Sequence, residues 1–245
     1  MRSLLIVIGC FVSVWGRGVS DAPANIETEG LISGGTFAEP RKYPFVAEFV
    51  LKNNKNGFRS YCAGSILSQW WIVTAAHCLE KDPFYVVVGQ YNRTKISPFE
   101  VRHNISFSVI HRSYNTSGLL NNDIALLKME KRILFNAYVK PANLPTSDVD
   151  YSGRTGTIIG WGLTERKSKE NEASCLGDSG GPLIVREGNK DVVIGIISRS
   201  SSSYCGDETP GIYVLIYKFR NWIAGVTQNT RTISIQRGRE RKVRW

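Results

Sequence analysis

Three segments carry residue types suited to nucleophilic catalysis. His77 lies in Trp71-Ile72-Val73-Thr74-Ala75-Ala76-His77-Cys78, Asp123 lies in Asn121-Asn122-Asp123-Ile124-Ala125-Leu126-Leu127, and Ser179 lies in Cys175-Leu176-Gly177-Asp178-Ser179-Gly180-Gly181-Pro182. A serine hydroxyl is a poor nucleophile at neutral pH and needs a base within hydrogen-bond reach. An imidazole suits that task because it titrates near the operating pH. A carboxylate on the far side of the ring would fix the tautomer and stabilise the imidazolium. Glycines flanking the serine let the backbone turn sharply and aim N–H groups at one point. Each segment alone has a plainer reading: a structural histidine beside a cysteine, an aspartate that caps or turns, a glycine-rich hairpin loop. Their joint occurrence favours the chemical reading. The glycine loop lacks the Lys-Ser/Thr pair of a phosphate-binding loop. His103 and His111 have no partner motif and read as surface residues.

The elements that must position these residues are short and β-like. Runs at residues 45–51, 63–67, 71–74, 85–88 and 105–110 occupy the first half, and runs at 156–161, 182–185, 191–198 and 211–215 the second. They are rich in β-branched and aromatic residues and bounded by Gly, Asn, Ser and Pro. Short strands at this spacing predict an all-β sandwich or barrel. One helix is predicted over 214–228, where Leu215, Phe219, Trp222, Ile223 and Val226 share a face. The competing reading leaves Val214-Leu215 in a strand. Residues 140–152, with Pro141 and Pro145, read as a connection between two lobes.

Composition sets the class. The chain has 245 residues, 42% apolar and 21% charged, with a formal net charge of +10. This balance excludes a disordered chain, and 23 aperiodic glycines with 9 prolines exclude a collagen-like repeat. Residues 1–20 read as a cleaved secretory leader: a basic start, an apolar run over 4–15, then Gly18-Val19-Ser20. The alternative is an uncleaved anchor, but twelve residues span only about 18 Å as a helix, short of a hydrocarbon core. Loss of Cys10 with the leader leaves Cys62, Cys78, Cys175 and Cys205. An even number in an oxidising compartment suggests two disulfides, with three pairings open. Zinc is the competing use, yet no CxxC or HxxxH spacing is present. Sequons at Asn92, Asn104 and Asn115 fit a secreted chain. The tail, residues 229–245, holds Arg231, Arg237, Arg239, Arg241, Lys242 and Arg244 against Glu240. It reads either as a solvated, disordered segment or as a polyanion contact.

The TAAHC, DIALL and GDSGGP segments, in that order along the chain, resemble the chymotrypsin/trypsin-like family of secreted serine endopeptidases. The resemblance runs from about Ile32 to about Gln228. It implies two antiparallel, six-stranded-type barrels and a C-terminal helix. It implies a catalytic triad of His77, Asp123 and Ser179, with the amides of Gly177 and Ser179 as oxyanion hole. Ile32-Ser33-Gly34-Gly35 resembles the family's mature N-terminus, so 21–31 would be a propeptide and 32–228 the protease domain. The freed ammonium of Ile32 would then pair with Asp178. Cleavage would follow Leu31, not the Arg or Lys usual in the family. Pairings Cys62–Cys78 and Cys175–Cys205 are likewise implied by the resemblance. So are protein or peptide substrates, protein protease inhibitors as partners, a monomeric state and no cofactor; no metal is expected either, because the family's calcium-loop acids are not evident after Gly89.

The pattern breaks in one place. His77 and Asp123 are 46 residues apart, close to the family's spacing of about 45, whereas Asp123 and Ser179 are 56 apart against about 93. Gly160-Trp161-Gly162 resembles a segment normally far upstream of the serine, so about 37 residues are missing between it and Cys175. By resemblance the loss removes two strands of the second barrel, a third disulfide and one wall of the primary pocket. The remaining pocket positions are Ala173, Ser174, Ser198, Arg199 and Gly211. An apolar base at Ala173 would suit hydrophobic side chains, and Arg199 could meet acidic groups. The alternative function is a catalytically silent relative that acts as a binding or regulatory protein.

Overall fold

The computed structural model describes residues 6–11, 36–51, 60–80, 84–92, 97–115, 120–162, 177–200, 211–228 and 242–244. In chain order the strands are β1 (Ile6–Phe11), β2 (Thr36–Phe37), β3 (Val46–Leu51), β4 (Ser60–Ile66), β5 (Trp71–Thr74), β6 (Phe84–Val88) and β7 (Val101–His103). They continue with β8 (Ile105–Ile110), β9 (Ala125–Met129), β10 (Thr155–Gly160), β11 (Pro182–Glu187), β12 (Lys190–Ser200), β13 (Gly211–Leu215) and β14 (Lys242–Arg244). A single helix, α1 (Arg220–Gln228), follows β13 among the described residues.

The strands form two sheets. The first runs β14-β8-β9-β5-β4-β3-β6-β7, and seven of its strands, β3 to β9, curl into a half-barrel. The second runs β13-β12-β11-β10-β1-β2. Every pairing is antiparallel except that of β14 with β8. With its C-terminal helix, this is a trypsin-like fold. β5 is buried at all four positions. It lies between β4 and β9, so neither face meets water and its sequence, Trp-Ile-Val-Thr, does not alternate. Phe49, Ile66, Ile72, Leu126 and Leu127 fill the half-barrel, and Ile159, Ile184, Val193 and Ile196 of the second sheet join the same apolar cluster. Burial of each such side chain contributes about 1.5–3 kcal/mol.

Several elements differ from the sequence reading. The helix expected from Val214 starts at Arg220, because Val214 and Leu215 pair with Ile196 and Gly195 in the β12–β13 ladder. Ile216–Phe219 form a short 3-10 turn between strand and helix. His103 is buried, at 6% exposure. His111 is half-buried, its ring 5.1 Å from those of both Phe219 and Trp222 in edge-on contact. Neither is the free surface residue expected: His103 is carried into the sheet by its pairing opposite Val86, and aromatic rings cover His111. Strands β7 and β9 were not foreseen. Within the expected leader, Ile6–Phe11 are paired into the second sheet. Within the basic tail, expected to be disordered, Lys242–Arg244 pair with Ser108–Ile110. In both cases an otherwise open sheet edge supplies backbone partners that the side-chain pattern does not advertise. Residues 140–152 connect the two lobes without a strand, touching the second sheet through Asn143 beside Val192. No helix among the described residues is long and apolar enough to cross a membrane.

Candidate active site

His77 sits where β5 ends. Ala75 is extended (φ −74°, ψ 143°) and the chain then tightens into a 3-10 turn, Ala76–Leu79. A disulfide from Cys78 to Cys62 of β4 ties this turn to the sheet. The donor atoms of Cys62, His77 and Cys78 lie within 4.8 Å of one another, but the disulfide consumes both thiolates that a metal would need.

Asp123 arrives from the loop before β9. Asn122 holds a left-handed backbone (φ 52°), a conformation that asparagine tolerates better than most residues, and its side-chain amide donates to the Ser113 carbonyl at 3.0 Å. The amide of His111 donates to the Ile124 carbonyl at 3.1 Å. These bonds deliver a fully buried carboxylate to the His77 ring. His77 Nδ1 donates to Asp123 Oδ2 at 2.7 Å, and the His77 backbone amide donates to Oδ1 at 2.9 Å. Ser198 Oγ, from β12, donates to the same Oδ2 at 2.6 Å. Burial pushes the carboxyl of Asp123 up. The hydrogen bond and charge of His77, the Ser198 hydroxyl and the His77 amide outweigh it and hold the group below the usual aspartate value.

Ser179 is carried by a turn wedged between the two sheets. Its carbonyl oxygen accepts from the Ala63 amide at 2.7 Å, and Gly180 donates to the Ile197 carbonyl at 2.8 Å. Gly180 has φ +79°, and an added Cβ would lie 2.2 Å from Thr74 Oγ1 and 2.4 Å from the Ala63 carbonyl oxygen. Only glycine lets the turn approach β4 and β5 so closely. Cys78 Sγ lies 3.5 Å from the Ser179 carbonyl oxygen and 3.8 Å from His77 Nε2, so the serine turn and the imidazole flank one disulfide. Among the described residues no hydrogen bond joins Ser179 Oγ to the His77 ring.

Asp178 turns away from the serine and into the protein, at 3% exposure. Its Oδ1 accepts from the Gly162 amide at 2.8 Å. A Cβ at Gly160 would lie 1.9 Å from Oδ1, and one at Gly162 would lie 2.3 Å from Oδ2. The Gly-Trp-Gly segment is therefore a cradle for this carboxylate, a role not foreseen from the sequence.

Of the other expected site residues, Gly177 is buried in the serine turn, Ser198 is buried, Arg199 is half-buried and Gly211 is exposed. Ser198 was read as a pocket edge; its hydroxyl is bonded to Asp123, a link across 75 residues with no local signal. Ile32, Ala173, Ser174, Cys175 and Cys205 lie outside the described residues. Asn104 and Asn115 are exposed and Asn92 is half-buried.

Two sheets that bring a histidine, a buried aspartate and a glycine-flanked serine together define a serine-protease-type framework. The Trypsin family model matches residues 32–172 and 167–223, two pieces that overlap at residues 167–172, and the chain belongs to this family. Among its relatives, coagulation factor IX of Cavia porcellus is 30% identical over 233 residues, covering 78% of this chain and 80% of that protein. Serine protease SSP1 of Scolopendra subspinipes is 26% identical over 256 residues, covering 86% and 88%. Ovochymase of Halocynthia roretzi is 28% identical over 260 residues, covering 89% of this chain but only 16% of that protein. Alignments of 256 and 260 positions exceed the 245 residues available, so they contain gaps in this chain.

Proposed function

We propose that this chain is a secreted serine endopeptidase made as a zymogen. Ser179 attacks the scissile carbonyl while His77 Nε2 takes its proton. Asp123 holds the imidazole tautomer through Nδ1 and balances the imidazolium charge. The amides of Gly177 and Ser179 receive the developing oxyanion, where losing one donor costs about 2.7–4 kcal/mol of barrier. His77 then protonates the leaving amine, and water resolves the acyl-enzyme by the reverse sequence. On cleavage before Ile32, the new ammonium would meet Asp178 beside the Gly160–Gly162 cradle and order the serine turn. Ala173, Ser174, Ser198, Arg199 and Gly211 would border the substrate side chain, and Cys175–Cys205 would close its wall.

The observation that carries this reading is the buried Asp123 carboxylate bonded to His77 Nδ1 at 2.7 Å, with the serine turn against the adjoining disulfide. The test is hydrolysis of a peptide-ester and peptide-amide panel by chain cleaved before Ile32. Turnover lost in Ser179→Ala supports the assignment; turnover equal in both, or none in either, contradicts it. A second reading, a silent relative acting as a binding protein, draws on the missing Ser179–His77 hydrogen bond and on the short Asp123–Ser179 spacing. Catalytic hydrogen bonds are often long before substrate arrives, which keeps the enzymatic reading first.

A further inference from the structure

The second sheet has an unusual dependence. β11 covers only Thr157 and Ile158 of β10, whereas β1 faces all six residues, from Ile6 opposite Gly160 to Phe11 opposite Thr155. Without β1, Thr155, Gly156, Ile159 and Gly160 would have no strand partner, and one side of β10 would present a row of unpaired backbone groups. Such an edge is a template for an added strand. The occupant has the composition for it: Ile-Val-Ile-Gly-Cys-Phe is apolar and β-branched. β2 extends the same sheet by pairing Phe37 with Ile6 and Thr36 with Val7. β10 ends at Gly160, the first residue of the Gly160–Gly162 cradle of Asp178.

We propose that the outer edge of β10 is a strand-acceptor site whose occupant is the chain's own Ile6–Phe11 segment. While that segment stays attached it completes the second sheet. Its removal with a leader opens a six-residue antiparallel docking edge. The N-terminal segment thus has two competing fates, export signal and structural strand, and the state of the β10 edge reports which one was taken.

The register gives a direct test in the full-length chain, refolded without removal of the leader. Cys10 lies opposite Gly156. Directly opposed antiparallel positions bring Cβ atoms about 4.5–5.5 Å apart, within reach of a disulfide after small shifts. In Gly156→Cys, where the nearest obstacle is the flexible end of Leu183 at 2.8 Å, peptide mapping should find the new thiol bonded to Cys10 in most molecules. In Thr157→Cys, one residue along and on the other face of the sheet, trapping should be at least tenfold lower. Equal trapping in the two variants, or none in either, overturns the proposal. A second measurement needs no added cysteine. In full-length Ile8→Pro, β10 amides should exchange with solvent at least tenfold faster than in the parent, and a synthetic peptide of residues 6–11 should restore their protection. Unchanged β10 exchange on substitution also overturns the proposal.

Discussion

Ser198→Ala tests how the charge behind the histidine is held. Asp123 is 0% exposed and accepts from His77 Nδ1 at 2.7 Å, the His77 amide at 2.9 Å and Ser198 Oγ at 2.6 Å. Burial works against the charged form, and the His77 and Ser198 contacts together hold the carboxyl below its ordinary value. A depressed folded-state value stabilises the fold above the unfolded aspartate value of about 3.9, and that contribution fades as pH falls through the folded value. Ser198→Ala deletes one donor to a buried charge and leaves only a hydroxyl-sized gap. A hydrogen bond to a charged group contributes about 1.5–3 kcal/mol, and no surface discount applies to a carboxylate this deeply buried. The variant should therefore lose about 1.5–3 kcal/mol of unfolding free energy at pH 7, and its acid unfolding should begin at higher pH. The deficit should shrink once the carboxyl is protonated in both states. Urea unfolding followed by tryptophan fluorescence between pH 7 and pH 3 measures both effects. A loss under about 0.5 kcal/mol at pH 7, or one independent of pH, would show that Ser198 does not stabilise the Asp123 charge.

The cradle of Asp178 gives a sharper steric test. Gly160→Ala places a Cβ 1.9 Å from a buried carboxylate oxygen and should cost about 1–3 kcal/mol or more, as overpacking does. Gly225→Ala on α1 meets nothing within 4 Å and should stabilise by about 0.5–1 kcal/mol; thermal melts of the two variants should shift in opposite directions. Replacing both Cys62 and Cys78 by serine releases a cross-link spanning 16 residues and should cost about 3 kcal/mol by loop entropy, read by urea unfolding. His111→Ala removes the ring against which Phe219 and Trp222 pack and should cost about 0.5–3 kcal/mol, with faster amide exchange in α1 and little change in β5.

The strands were legible where a hydrophobic run was long or bounded by turn residues. β5, β8 and β13 occupy the residues that composition marks out, β3 and β6 differ by one residue at an end, and β10 lies one residue earlier at both ends. β7, Val-Arg-His, escaped because three residues, two of them polar, carry no pattern. β9 escaped because the Ala125–Leu127 run was taken up by the motif around Asp123 and never weighed as a strand. β1 and β14 escaped for another reason: leader-like and basic compositions describe those segments in isolation, whereas their pairing depends on edges offered by β10 and β8. At the site, residue types near His77, Asp123 and Ser179 were readable because each stands in a local motif. The Ser198 hydroxyl on Asp123 and the Gly160–Gly162 cradle around Asp178 arise only when two sheets meet. Pairing of Cys62 with Cys78 followed from family resemblance, since spacing alone left three pairings open.

The central claim is that Ser179 is a nucleophile activated by His77. Fluorophosphonate labelling of chain cleaved before Ile32, read by mass spectrometry of the Ser179 peptide, tests it most directly. The account predicts stoichiometric adduct at Ser179, slowed by orders of magnitude in His77→Ala and markedly slowed in Asp123→Asn. A parent chain that is folded and cleaved yet stays unlabelled, or that labels no faster than His77→Ala, would contradict it.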